Sequence, residues 1–293
     1  MPELPEVETV VRDLRPLLNG RRVDGLLLGR SAAKLRLRWN SRWGRRVLGR
    51  TFLGIRRRGK WIILDFAEGG CFLAHLGMTG QLTVVPVRTA SDAHCHIELA
   101  LDNQTNLRYR DTRRFGGVLL CDDEAKMQAY LGERLGPEPW DLDPAAWHAS
   151  LVASRRPLKA ILLDQTVVAG VGNIYADEAL HAARLVPMQT GVETTRPQAN
   201  RLRSAIVAVL ENAIAARGST IRNYVGGSGL EGGFQHQLSV YGRAGEPCAR
   251  CRTAVRCIRL AGRATHFCPK CQTIARRAQP QAARGKTKNH NLT

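Results

Sequence analysis

MPELPEVETVVRDLRPLL, residues 1–18, opens the chain and reads as a helix whose first turn is also the N-terminus. Leu4, Val7, Val10, Val11, Leu14, Leu17 and Leu18 recur at the i, i+3, i+4, i+7 spacing that gives one buried stripe. Pro5 suits a first helical turn, Glu6 and Glu8 sit at the positive end of the helix dipole, and Asn19-Gly20 supplies a stop.

Ahead of the stripe Pro2, Glu3 and Glu6 crowd a place where a chain end normally frays. If Met1 is removed, Pro2 exposes a secondary amine. An α-amine titrates roughly two units below a lysine, so more of it is the neutral nucleophile near pH 7. Its attack on a sugar's anomeric carbon gives a cationic iminium, an electron sink for later elimination, and two neighbouring carboxylates can move the protons. On this stretch alone the plainer reading is favoured: a helix that simply begins with prolines and glutamates.

At 293 residues the chain is long enough for two domains or more, and 44 % hydrophobic residues is ordinary for a globular protein. A net charge of +19 asks for a polyanionic partner, nucleic acid first and an anionic membrane second. No apolar run approaches a membrane span, and the acidic start lacks the plan of a signal peptide, so a cytoplasmic protein is expected. Eight cysteines in that compartment are thiols or metal ligands rather than disulfides.

From Arg21 to about Leu120 short β-rich runs are broken by glycine: VDGLLLG, RVLGRTFLGI, KWIILDF, CFLAHLG, QLTVVPV, HIELALD, NLRYR and GVLLC. That spacing predicts an all-β sandwich or barrel behind the first helix. After PEPWDLDPAAW the texture turns helical, in AAWHASLVAS, LKAILLDQ, NIYADEALHAARL and the stretch from Arg196 to Arg217. Residues 218–233 are too glycine-rich for regular structure and read as a mobile loop. The tail from Thr273, with five Lys or Arg and no acid, reads as disordered.

The strongest local signal is Cys248-x2-Cys251, sixteen residues, then Cys268-x2-Cys271. Four thiolates at this spacing close a tetrahedral structural Zn(II) site, one per chain, with no position left for a catalytic water. Cys257, inside the loop, reads as a packed thiol. Arg259 and Arg263 punctuate an expected hairpin, IRLAGRATHF, and suit phosphate contact. In VVAGVGNIYADEAL a glycine-punctuated turn delivers Asn173 to a helix N-terminus, which is either a phosphate site or only a tight turn. RRRGK brings Lys60 to a loop with Arg56, Arg57 and Arg58, a basic cluster read towards nucleic acid. Met78 in HLGMTG and Phe115 in DTRRFGG sit beside glycines and arginines, as apolar wedges that unstack DNA do, although core roles are the ordinary reading for either. The alternation in His94-Cys95-His96 puts both histidines on one strand face.

Together these residues resemble the formamidopyrimidine-DNA glycosylase family, related to the endonuclease VIII group. The likeness runs from Pro2 to about Gln272 through PELPEVET, HLGMTG, RRFGG, QTVVAGVGNIYADEAL and FQHQLSVYGRAGEPC. It implies an α+β multidomain fold: an N-terminal helix with a β-sandwich (1–135), a helix-two-turn-helix domain (136–240) carrying a lesion-capping loop at 218–233, a zinc finger (241–272) and a basic tail (273–293). By position it implies Pro2 as the Schiff-base nucleophile, Glu3 as the acid that opens the sugar, and Glu6 as an orienting group. Lys60 matches a proton donor in β-elimination and Arg263 the arginine of δ-elimination. His75 and Asn173 match phosphate contacts, Met78, Arg113 and Phe115 the trio that fills the vacated stack, and His94 and Arg155 further DNA contacts. Lys159 matches a lysine that processes the damaged base. Thr112 stands where the family often has proline, and GGSG replaces a more polar stretch, which bears on lesion preference. The implied activity is a bifunctional glycosylase and abasic-site lyase acting as a monomer on oxidised purines in double-stranded DNA. The rivals are an endonuclease VIII-like enzyme for oxidised pyrimidines and a non-catalytic DNA-binding protein.

Overall fold

Helix α1 (Leu4–Leu18) forms along the expected stripe in the computed structural model, which describes residues 1–30, 32–35, 41–219 and 232–273. Leu4, Val7, Val10, Val11, Leu14 and Leu18 are buried, whereas Leu17 lies past the edge of the stripe and is 40 % exposed. The helix belongs to two cores at once. Val7 to Leu18 pack into the core of the β region, while Leu4 packs with Trp147, Leu151 and Leu180 in the helical region.

The β region is a pair of antiparallel four-stranded sheets. One contains β1 (Val23–Leu28), β5 (Gly80–Pro86), β6 (Cys95–Leu101) and β7 (Thr105–Asp111) in the order β1-β6-β7-β5. The other contains β2 (Phe52–Arg58), β3 (Trp61–Phe66), β4 (Cys71–His75) and β8 (Gly117–Cys121) in sequence order. Phe52, Ile62, Leu64 and Phe72 from the second sheet meet Ile97, Leu99 and Tyr109 from the first in one core, which makes a sandwich. The run expected to begin a strand at Arg46 instead ends helix α2 (Ser41–Val47), and β2 starts only at Phe52. Helix α3 (Glu124–Gly132), capped by Asp123, closes the region.

The second half is helical, as its spacing requires: α4 (Pro144–Val152), α5 (Leu158–Leu162), α6 (Asn173–Ala182) and α7 (Arg196–Ala215). Asp143 caps α4 by accepting from the N–H groups of Ala145 and Ala146, and Thr195 opens α7 with a capping box. Beyond α7 the hairpin β9 (Arg256–Leu260) and β10 (Arg263–Phe267) forms where IRLAGRATHF places it. Its turn residues Ala261 and Gly262 have φ of 49° and 73°, the two left-handed positions of a type I′ turn.

Of the glycine-rich loop read as a lesion cap, residues 220–231 lie outside the described residues, as does the basic tail from 274. Among the described residues no helix is long and apolar enough to cross a membrane.

Candidate active site

The polar start of α1 is buried against the start of α6. Pro2 is buried and Glu3, the N-cap of α1, is only 2 % exposed. A capping box holds it: the Glu3 backbone N–H donates to Glu6 Oε2 at 2.8 Å, and the Glu3 carboxylate accepts from the backbone of the first turn. The same carboxylate accepts the backbone N–H groups of Ile174 at 3.0 Å and Tyr175 at 3.5 Å. Two of the N–H groups at the start of α6, those of Ile174 and Tyr175, are therefore taken by a carboxylate of this chain. The glycines of VVAGVGN serve close approach instead. A Cβ at Gly172 would stand 2.3 Å from Glu3 Cδ, and one at Gly170, where φ is +87°, 2.4 Å from Leu4 Cδ1.

Glu6 is a junction. Its Oε1 accepts from the Tyr175 hydroxyl and, at 2.8 Å and 3.2 Å, from Ser219 N–H and Oγ, so it ties α1 to α6 and to Ser219. Neither Tyr175 nor Ser219 carries a sequence signal that isolates it.

Lys60 does not lie in an open basic loop. It is 8 % exposed and its Nζ donates to the Val171 carbonyl at 3.0 Å. The arginines before it are already paired: Arg56 with Asp65 and Glu124, Arg57 with Glu8 and Glu138, Arg58 with Glu138. Glu138 also accepts the Gly59 N–H, which clamps the turn that presents Lys60. Burial pushes the Glu3 carboxyl above the usual carboxylate range, and Glu6 adds to this, against the opposing pull of the Lys60 cation and the two α6 N–H groups. Burial likewise lowers the Lys60 ammonium, with Arg263 acting in the same sense and Glu3 and Glu6 against it. A carboxyl more easily protonated and an amine more easily deprotonated thus share one site, the arrangement that proton transfer near neutral pH needs.

These groups line a cavity of about 390 Å³ together with Met1, His75, Met78, Gln165, Asn173, Tyr241 and Arg263. Gly77 N–H donates to His75 Nδ1 at 3.1 Å, so the neutral ring carries its proton on Nε2. Met78 and Phe115 sit on two loops locked together, because a Cβ at Gly77 would come within 2.4 Å of Gly116 N and one at Gly116 within 2.2 Å of the His75 carbonyl. Buried Asp111 holds both loops, accepting from Thr79 Oγ1 at 2.6 Å and from Gly116 N–H at 2.9 Å. Phe115 is 43 % exposed, with the Arg113 guanidinium 4.7 Å over its ring.

The expectation that His94 and His96 share a face is corrected. His94 precedes β6 and is exposed, while His96 is buried and bonds the Asp111 carbonyl through Nε2 at 2.8 Å. A register shift between Cys95 and Ile97 breaks the alternation, so the two histidines share no face. His94 and exposed Arg155 stand outside the cavity lining. Lys159, expected at the damaged base, is 0 % exposed and paired with Asp177. Burial lowers its ammonium, and Asp177 opposes that.

Cys248, Cys251, Cys268 and Cys271 bring their sulfurs within 4.8 Å of one another. The Cys251–Cys268 and Cys248–Cys271 pairs are 3.4 and 3.9 Å apart, close to the roughly 3.8 Å edge of a tetrahedron with Zn–S bonds near 2.3 Å. The donor set fits one structural zinc. Cys257 is exposed on β9 and stands outside the cluster, neither packed nor a ligand. Glu178 joins finger to helices by accepting three backbone N–H groups, of Ser239, Val240 and Tyr241, each at 2.9 Å.

The chain matches three family models: the formamidopyrimidine-DNA glycosylase N-terminal domain over residues 1–118, the H2TH domain of that enzyme over 135–225, and the zinc finger found in FPG and IleRS over 245–274. It is 43 % identical to the formamidopyrimidine-DNA glycosylase of Thermomicrobium roseum over 290 residues, 94 % of this chain and all of that one. It is 41 % identical to the enzyme of Xanthomonas oryzae pv. oryzae over 277 residues, with 93 % and 100 % covered. A Lactococcus lactis FPG variant bound to Fapy-dG-containing DNA superposes with a TM-score of 0.87 at 34 % identity, covering 92 % of this chain and 99 % of that one. The same organism's Fpg bound to abasic-site DNA gives 0.86 at the same identity and coverage. With a sandwich, a helical region and a finger in this order, and relatives matched from end to end, the chain belongs to the formamidopyrimidine-DNA glycosylase family.

Proposed function

We propose that this enzyme is a bifunctional DNA glycosylase and abasic-site lyase that removes oxidised purines, 8-oxoguanine and formamidopyrimidines, from duplex DNA in base-excision repair. One observation carries the reading: buried Glu3, the neighbour of Pro2 in the chain, and buried Lys60 line one cavity together with Met1 and Arg263. With Met1 removed, the lone pair of the Pro2 amine attacks C1′ and the C1′–base bond breaks, the base leaving with a proton. The amine's proton passes to the departing base, and the nitrogen lone pair then forms the iminium as the C1′–O4′ bond opens. Glu3, whose carboxyl burial makes easier to protonate, gives O4′ its proton. Loss of a C2′ proton to water expels the 3′ phosphate, with Lys60 as proton donor to the leaving group, and a second elimination, with loss of the C4′ proton to water, expels the 5′ phosphate beside Arg263. Water releases the amine.

His75, Asn173 and Arg263 serve as phosphate clamps in this reading. Met78, Arg113 and Phe115 fill the space of the flipped nucleotide. His94 and Arg155 contact the duplex farther out. Zinc bound by the four cysteines supplies only the shape of the hairpin that carries Arg263.

Single-turnover cleavage of duplexes carrying 8-oxoguanine opposite cytosine, an oxidised pyrimidine, or a preformed abasic site tests this. All should be cut through one covalent intermediate, with 8-oxoguanine faster than the pyrimidine. A faster pyrimidine would indicate an endonuclease VIII-like enzyme, and binding without cleavage of any of the three would leave a binding protein.

A further inference from the structure

Lys159 and Asp177, both 0 % exposed, form an ion pair between α5 and α6. Lys159 Nζ also donates to the Asn173 carbonyl at 3.1 Å, in the first turn of α6. The other Asp177 oxygen accepts the backbone N–H of His266 on β10 at 2.9 Å and lies 3.3 Å from His266 Nδ1. Asn173 in turn donates through Nδ2 to the carbonyl of Ala264, the neighbour of Arg263, at 3.1 Å. One buried charge pair therefore reaches three elements, and Lys159 itself lines no part of the cavity.

Burying two charges is expensive, and such a pair holds together when neighbouring groups fill the spare hydrogen-bonding positions, as the Asn173 carbonyl and the His266 N–H do here. Removing one partner strands the other charge in the interior; neutralising both removes that burden. We propose that Lys159 and Asp177 are positioning residues: their buried pair fixes the first turn of α6 and strand β10 against each other, so that Asn173 and Arg263 face Glu3 and Lys60 across the cavity. This rests on the proposed function only for what the cavity does. Lys159 acts through these neighbours and touches no base.

A strut of this kind serves every step carried out in the cavity, whereas a lysine that handles the damaged base is needed only while a base is attached. Misplacing reacting groups by about 1 Å costs on the order of a hundredfold in rate. Lys159→Met should therefore slow 8-oxoguanine excision and cleavage of a preformed abasic site by similar factors, roughly ten- to a hundredfold, and lower the melting temperature. Lys159→Met combined with Asp177→Asn keeps an acceptor for the His266 N–H and leaves no stranded carboxylate. It should regain at least about tenfold in both rates and most of the melting temperature. Lys159→Met that loses excision alone, with abasic cleavage and melting unchanged, would overturn the proposal, as would a double variant no faster and no more stable than the single. If the wild-type protein cuts neither substrate, the function reading falls, and the melting temperatures of the three proteins still decide the strut.

Discussion

Glu3 and Arg263 face one cavity from two differently built regions. Glu3 is buried where α1 meets α6, its carboxylate held by backbone N–H groups of two helices that pack into the large cores. Arg263 stands exposed on a two-stranded hairpin whose own core is Val240, Cys248, Val255 and Cys268. Burying two valines contributes about 3–6 kcal/mol, less than the roughly 10 kcal/mol or more that a structural zinc adds to a small finger. The comparison separates two means of preorganisation: the acid is placed by packing and backbone dipoles, the arginine by a metal. Five substitutions and a mass measurement can break or sharpen that division.

The largest effect is expected at the packed centre. Glu3→Gln keeps the shape and one acceptor for the α6 N–H groups but cannot protonate O4′. Single-turnover excision should fall by about 10²–10⁴-fold while DNA affinity and zinc content stay near wild type. A fall of less than tenfold would move the acid elsewhere.

Next comes the finger. Cys268→Ser, or metal removal by a chelator, should weaken DNA binding by about tenfold or more, because the Arg263 and Asn173 contacts lose their frame. The α1–α6 centre should survive, so borohydride trapping at saturating abasic DNA should persist. Full affinity in a zinc-free sample, or loss of trapping despite saturation, would contradict the division.

Two glycines compare the regions directly. Gly172→Ala places a Cβ against Glu3 and should cost about 1–3 kcal/mol of stability with a marked loss of activity. Gly262→Ala, at φ +73° with open space around it, should cost no more than about 1 kcal/mol and leave excision nearly intact. Thermal melting and single-turnover rates read both, and the reverse order would place the rigid region in the finger.

The sequence makes α1, the four-cysteine spacing and the hairpin turn legible because each rests on contacts within a few residues. What it hides is long-range pairing. RRRGK looks like a free basic loop until Glu138, about eighty residues on, is found holding Arg57, Arg58 and the Gly59 N–H. The helix start after GVGN looks like a phosphate cradle until Glu3 occupies the N–H groups of Ile174 and Tyr175. Asp111, which nothing in DTRRFGG singles out, proves to be the clasp of the Met78 and Phe115 loops. One β-bulge at Cys95 was enough to part His94 from His96.

The smallest predicted effect is a pH shift. In the proposed reaction Glu3 acts protonated, so activity should be present below its raised pKa and fall as pH rises through it. The Lys60 cation is the main influence holding that pKa down. Lys60→Gln should therefore move the alkaline limb of the excision rate to higher pH, at a reduced maximum. An unmoved limb, or one moved to lower pH, would uncouple the two groups.

The claim at the centre is that the amine of Pro2 is the nucleophile. Borohydride reduction with abasic duplex, followed by digestion and mass analysis, should place the DNA adduct on the peptide that begins at Pro2, with Met1 gone. A form that keeps an uncleaved N-terminal extension should bind DNA and fail to trap. An adduct on Lys60 or another lysine, or equal trapping by the extended form, would contradict the account.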